Sequence, residues 1–199
     1  MRLAVVGAGP ITTAALTTLY QYDLIYAADG GADCCVKAGV TPDKIIGDGD
    51  SSTVPFMHTT DQNTTDLQKV LAVAPADATI DLYGVISEER FDHTLTVLQL
   101  LRTDKRIQRI ITEHWITEIY RAQSTANLLL PLHTVISIVP VTTSATVSLT
   151  GLQWSGTVQL SAHRSGISNV VTALPARVTV DNGSIFVMLP WPYGLNLPC

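Results

Sequence analysis

The sequence predicts an α/β chain, in which a mostly parallel N-terminal sheet with flanking helices is followed by an antiparallel C-terminal β-sandwich. Three observations carry this prediction. Up to about residue 115, short β-rich runs alternate with stretches of helical periodicity. Beyond that point apolar residues recur every second position, and turn residues punctuate them. Charge changes at nearly the same place: 16 of the 17 acids lie at or before Glu118, but only 9 of the 12 basic residues do, so the first part carries −7 and the second +2. Two domains are therefore expected, 1–115 and 116–199.

The elements follow in order. Residues 3–7 form an apolar strand that turns at Gly7-Ala8-Gly9-Pro10, and Pro10 sits near the first turn of a helix over about 11–20. Strand 23–28 leads into helix 30–38 through Asp29-Gly30-Gly31, and strand 44–47 ends in Gly47-Asp48-Gly49-Asp50. Helix 63–74, strand 79–83, helix 91–103 and strand 107–112 continue the alternation, which a Rossmann-like parallel sheet requires. In helix 63–74, Asn63 is the expected N-cap, with Asp66 at the third helical position near the positive helix end. In the second part, runs such as 135–139, 146–149, 157–160, 178–180 and 185–188 alternate apolar and polar residues, separated by Gly151, Gly156, Gly166 and Asn182-Gly183.

Composition narrows the function classes. A net charge of −5 and a pI near 5.4 leave no basic surplus for a nucleic-acid backbone. Mean hydropathy is +0.27, yet polar residues break every apolar run well before the roughly 18 residues a membrane span needs. The short apolar start reads as a strand and not as a signal peptide, so a cytoplasmic location is expected. Cys34 and Cys35 are adjacent and the total of three cysteines is odd, which argues against a disulfide framework.

The chemistry is expected at the aspartates. Asp29, Asp48 and Asp50 stand at predicted strand ends, with Asp61 and Asp66 at the start of the following helix. The carboxyl ends of parallel strands line one crevice, and carboxylates gathered there repel one another unless a cation neutralises them. A hard, oxygen-liganded ion such as Mg²⁺, bridging substrate phosphates, meets that demand. The alternative for each Asp is a helix cap or Asx-turn, but the paired glycines of Asp29-Gly30-Gly31 allow a close backbone approach that a cap does not need. Gln62, Asp66 and Lys69 share one helix face, while Glu88-Glu89-Arg90-Phe91-Asp92-His93 offers an arginine able to clamp phosphate and an aspartate able to orient it or a ribose hydroxyl. A calcium loop beginning at Asp48 would need other residues at Ser52, Thr53 and Thr59, the five histidines are dispersed, and a dinucleotide fingerprint from Gly7 would need glycine at Thr12.

The ordered series Asp29-Gly30-Gly31-Ala32, Gly47-Asp48-Gly49-Asp50-Ser51, Asp61-Gln62 with Thr65-Asp66 and Lys69, Arg90-Phe91-Asp92-His93 and Gly166-Ile167-Ser168-Asn169 resembles the thiamin pyrophosphokinases, or thiamine diphosphokinases. The resemblance implies an N-terminal domain holding ATP and Mg²⁺, a C-terminal β-sandwich for thiamin and dimerisation, and a homodimer with active sites at the interface. It implies transfer of pyrophosphate from ATP to thiamin, with AMP as the second product. By position it makes Asp29, Asp48, Asp50 and Asp66 the catalytic and metal site. Gly30, Gly31, Ser51, Lys69, Arg90, Asp92 and His93 fall to ATP, and Gln62, Asp66, Ser168 and Asn169 to thiamin. Phe186 is the nearest candidate for an aromatic stacking on the pyrimidine, with Trp191 behind it. Glu88 and Glu89 depart from the family, where glycine usually adjoins the arginine. Rival readings are a diphosphokinase acting on a pterin-type alcohol, a non-catalytic binder of thiamin or nucleotide, and a phosphatase of the haloacid-dehalogenase type suggested by Asp48-Gly49-Asp50.

Overall fold

The computed structural model describes residues 1–49, the backbone of 57–58, and residues 63–191. It divides into two compact units, Met1–Glu113 and His114–Cys199. Among the described residues no helix is long and apolar enough to cross a membrane.

The first unit alternates strands and helices: β1 (Arg2–Val6), α1 (Thr13–Leu16), β2 (Leu24–Ala28), α2 (Gly31–Lys37), β3 (Lys44–Gly47), β4 (Met57–His58), α3 (Asp66–Val73), β5 (Thr79–Tyr83), α4 (Phe91–Thr103) and β6 (Ile107–Ile111). The strands lie in the order β6-β5-β1-β2-β3-β4, and each neighbouring pair is parallel. Leu3, Ala4, Val5 and Val6 of β1 are fully buried, as expected of a central parallel strand covered on both faces. The order reverses between β1 and β5, and the crevice beyond their carboxyl ends is the topological switch point of the sheet.

Two helix boundaries differ from expectation. The helix expected over 11–20 is α only at Thr13–Leu16 and tightens to 3₁₀ at Thr17–Gln21. Thr12, not a residue beside Pro10, caps it by accepting from the Ala15 amide, and the hydroxyls of Thr17 and Thr18 donate back to the carbonyls of Ala14 and Ala15. Four threonines in seven positions favour such local bonds over a regular helix. Helix α3 begins later than expected because Thr65, not Asn63, is its N-cap: its hydroxyl accepts from the Gln68 amide while the Gln68 side chain accepts from the Thr65 amide. Asp66 is consequently the first helical residue and not the third.

The second unit contains β7 (Trp115–Arg121), β8 (Ser124–Leu128), β9 (Val135–Pro140), β10 (Ser144–Thr150), β11 (Gly156–Ser161), β12 (Gly166–Val170), β13 (Ala176–Asn182) and β14 (Ser184–Pro190). Here the strand pairings among the described residues are antiparallel, in the orders β12-β9-β14-β7 and β11-β10-β13-β8. The period of two puts Ile136, Ile138, Ile185 and Val187 from one set of strands against Val147, Leu149, Val178 and Val180 from the other, in a single core. Asn182-Gly183 does not close a hairpin. It carries the chain from β13 in one set to β14 in the other, with Gly183 at φ +80°. A Cβ there would lie 2.6 Å from the Ser144 carbonyl oxygen, so glycine is required on two counts.

Candidate active site

Three separate elements deliver carboxylates to one place. Asp29 leaves β2 at φ +40°, a backbone state uncommon for a side chain other than Asn or Asp. Its amide donates to the Ile46 carbonyl on β3, and its own carbonyl accepts from Ala32 to open α2. Gly47 makes room for it, since a Cβ at that position would sit 2.7 Å from the Asp29 Cβ. Asp48 follows at the end of β3, and the capping box of α3 presents Asp66. One carboxylate oxygen from each of Asp29, Asp48 and Asp66 lies within 4.8 Å of the other two. Asp29 is buried and the other two are half-buried.

Lys69 balances part of this charge. Its ammonium, nearly buried one helical turn after Asp66, donates to Asp66 Oδ1 at 2.8 Å. The three carboxylates and one ammonium carry a formal excess of two negative charges, which a divalent cation would match. An all-oxygen donor set of carboxylates fits Mg²⁺ and not a soft metal. Lys69 was expected beside the nucleotide; in the structure its ammonium pairs with Asp66 of the carboxylate cluster. Asp50, Ser51, Asp61 and Gln62 lie outside the described residues.

The cleft beside the carboxylates opens at the switch point. Gly7 and Gly9, after β1, press against Gly84, after β5; the Gly7 amide donates to the Tyr83 carbonyl at 2.8 Å and the Gly9 amide to the Gly84 carbonyl at 2.7 Å. A Cβ on either Gly7 or Gly9 would fall 2.7 Å from the Gly84 oxygen, so these glycines serve the crossing of two loops and form one wall. Gly30 also lines the cleft. At Gly31 a Cβ would lie 2.1 Å from the Val6 carbonyl oxygen, so its missing side chain seats α2 against β1.

Arg90 and His93 also line the cleft, at the start of α4. The Arg90 guanidinium donates through Nε and Nη2 to the two Asp92 oxygens at 3.2 and 3.1 Å, and through Nη2 to His93 Nε2 at 2.5 Å. Because a guanidinium has no acceptor, Nε2 of His93 accepts in this contact. The hydrogen bonds from Arg90 hold the Asp92 carboxyl down to about 2, with the His93 amide contributing, so the fork stays charged throughout the neutral range. Asp92 orients Arg90 from outside the cleft wall. Thr94 ties the turn to the helix, donating to the Ser87 carbonyl at 2.8 Å and accepting from the Ser87 amide at 3.0 Å.

In the second unit, Asn169 is buried and its amide makes three hydrogen bonds to backbone groups. Oδ1 accepts from the Trp154 and Val170 amides at 3.1 and 2.9 Å, while Nδ2 donates to the Trp154 carbonyl at 3.0 Å. Asn169 thus fixes the turn that displays Trp154, whose side chain is exposed. Ser168 is exposed at φ +58°, its amide donating to Ser137 Oγ at 3.1 Å. Phe186 lies half-buried on the face of β14 opposite Ile185 and Val187. Trp154 carries no motif signature; what marks it in the sequence is a tryptophan in the turn Gly151-Leu152-Gln153-Trp154, an aromatic held outside a core.

Comparisons with known proteins agree with this layout. The family model described as thiamin pyrophosphokinase, catalytic domain, matches residues 16–112, and that described as thiamin pyrophosphokinase, vitamin B1 binding domain, matches 118–185. No curated protein matches the sequence significantly. Among solved structures, the thiamine pyrophosphokinase of Bacillus subtilis superposes with a TM-score of 0.78 at 20% identity, covering 96% of this chain and 99% of that one. The enzyme of Geobacillus thermodenitrificans gives 0.75 at 19% identity, with 96% and 97% covered, and the yeast enzyme 0.71 at 15%, with 95% and 86%. At these identities the structural likeness is one of fold, and it runs the length of the chain. With both domain models matched in order on either side of residue 115, the chain belongs to the thiamin pyrophosphokinase family.

Proposed function

We propose that the protein transfers the β,γ-pyrophosphoryl group of ATP to the primary hydroxyl of thiamin, releasing AMP and thiamin diphosphate. The observation that supports this most is the convergence of Asp29, Asp48 and Asp66 beside a glycine-walled cleft at the switch point of the sheet. Asp29, Asp48 and Asp66, joined by Asp50, would hold Mg²⁺. When bound, that ion supplies positive charge to the transferring pyrophosphoryl oxygens. The chain's own part is positioning. Lys69 fixes Asp66, Gly30 and the Gly7–Gly9 loop admit the nucleotide backbone closely, and Arg90, aimed by Asp92, offsets phosphate charge. The hydroxyl proton leaves to a carboxylate of the cluster.

Thiamin carries a permanent cation, which carboxylates and aromatic faces attract. In this reading Ser168 contacts thiamin, Asn169 acts through the Trp154 turn it holds, and Trp154 joins Phe186 as a surface for the pyrimidine. A homodimer completing each site at the subunit interface belongs to the same proposal. The test is a product assay with ATP, Mg²⁺ and thiamin that resolves AMP from ADP and phosphate. Thiamin-dependent AMP supports the proposal. Free phosphate supports the phosphatase, AMP formed only with a pterin-type alcohol supports that diphosphokinase, and thiamin binding without product supports the binder.

A further inference from the structure

Glu89 departs from the family pattern and occupies the cleft wall between Ser87 and Arg90. It is exposed, and among the described residues it makes no hydrogen bond or ion pair; the adjacent guanidinium of Arg90 is turned to Asp92 and His93 instead. A carboxylate on the wall of a polyphosphate site is repelled by phosphate, so one outside the metal cluster, as Glu89 is, stabilises a nucleotide where the ligand presents hydrogen-bond donors. The same cleft is lined both by the carboxylates Asp29 and Asp66 and by the apolar Val85 and Val97, so its wall offers groups for a metal-bound polyphosphate and for a base. The donors that lie between base and phosphates in a nucleotide are the vicinal hydroxyls of its ribose, whose two O–H groups match the two oxygens of one carboxylate. Acidic residues recognise ribose hydroxyls in this way in other open α/β sheets.

We infer that Glu89 is a specificity-determining residue: its carboxylate accepts hydrogen bonds from the ribose hydroxyls and makes the protein select ribonucleotides over deoxyribonucleotides. This rests on the reading of the cleft as the nucleotide site. Calorimetry with AMP, 2′-deoxy-AMP and 3′-deoxy-AMP tests it without turnover, on the wild type, Glu89→Ala, Glu89→Gln and Glu88→Ala, the last lying outside the cleft lining.

The wild type is expected to bind AMP about 10-fold or more tighter than 2′-deoxy-AMP, as hydrogen bonds to a charged acceptor allow. Glu89→Ala should bring the two within about 2-fold by weakening AMP alone, Glu89→Gln should fall between, and Glu88→Ala should keep the wild-type ratio. A wild-type ratio retained in Glu89→Ala overturns the inference, as does an equal loss for all three nucleotides. Thiamin-dependent AMP release from ATP, measured on the same samples, separates the two readings. A collapsed ratio without AMP release leaves Glu89 as the ribose contact and refutes the proposed reaction. AMP release with an unchanged ratio refutes the role of Glu89 alone. Absence of nucleotide binding refutes both.

Discussion

Replacing Asp29 by Asn should uncouple the stability of this protein from Mg²⁺. The buried Asp29 carboxylate has an oxygen within 4.8 Å of oxygens of both Asp48 and Asp66. At that separation, and at an effective dielectric constant near 20, each pair of ionised groups repels by about 3.5 kcal/mol. The Lys69 ammonium and the solvent reaching the half-buried Asp48 and Asp66 reduce this, leaving about 1–2 kcal/mol of net repulsion. Asn keeps the shape of Asp, tolerates the φ of +40° and removes one charge. In EDTA, Asp29→Asn should therefore melt at or above the wild-type temperature. The wild type should gain about 2.7 kcal/mol when Mg²⁺ reaches 100 times its dissociation constant, while the variant should lose most of that gain. Thermal melts followed by circular dichroism, with EDTA and with a MgCl₂ titration, measure both quantities. An Mg²⁺-induced shift in Asp29→Asn equal to that of the wild type would refute the assignment of Asp29 to the metal.

Other expectations concern the framework and the second unit. Tyr22 donates to the buried Asp81 Oδ2 at 2.6 Å and meets the Tyr83 hydroxyl at 2.9 Å, so Tyr22→Phe should cost about 1.5–3 kcal/mol. That is a Tm drop of roughly 3–12 °C, and a change below about 1 °C would contradict the importance of this network. Burial pushes the Cys35 thiol up to about 12 and also raises Cys34, so the thiolate fraction of Cys35 at pH 8 is negligible. Iodoacetamide followed by mass spectrometry should find Cys35 unmodified in the native protein and modified after denaturation. Asn169→Ala deletes the three hydrogen bonds that hold the Trp154 turn and Val170, at about 2–3 kcal/mol. It should raise the thiamin KM with little effect on the ATP KM, and equal effects on both would show that the residue serves only folding.

Much of the fold was legible because its strands are either continuously apolar or strictly alternating. β1 and β5 are buried on both faces of a parallel sheet; Leu3-Ala4-Val5-Val6 is an unbroken apolar run, whereas Asp81 interrupts the run of β5 and is met by Tyr22 and Arg2. β10 and β14 bury every second residue and read cleanly as half-buried strands. What could not be read was decided by contacts between distant residues. The Asn182-Gly183 pair has the composition of a hairpin turn, yet its strands pair with other partners, and strand order is not encoded in local periodicity. The boundary of α3 was legible in principle, since Thr65 and Gln68 have capping-box spacing, but Asn63 competed as a cap.

The site shows the same division. That Asp29, Asp48 and Asp66 share one crevice followed from their positions at strand and helix ends, and that Lys69 meets Asp66 followed from their spacing of three on one helix face. Gly31 and Asn169 stand in motif positions, and the structure adds packing roles that the motifs do not show: the first accommodates the Val6 carbonyl and the second binds backbone groups of Trp154 and Val170.

The most direct test of the proposed reaction follows the phosphorus atoms. With Mg²⁺, thiamin and ATP labelled separately at the α- and γ-phosphates, all transferred γ-label should appear in thiamin diphosphate and all released α-label in AMP, in equal amounts. Appearance of γ-label as free phosphate or thiamin monophosphate, with α-label in ADP, would contradict the account.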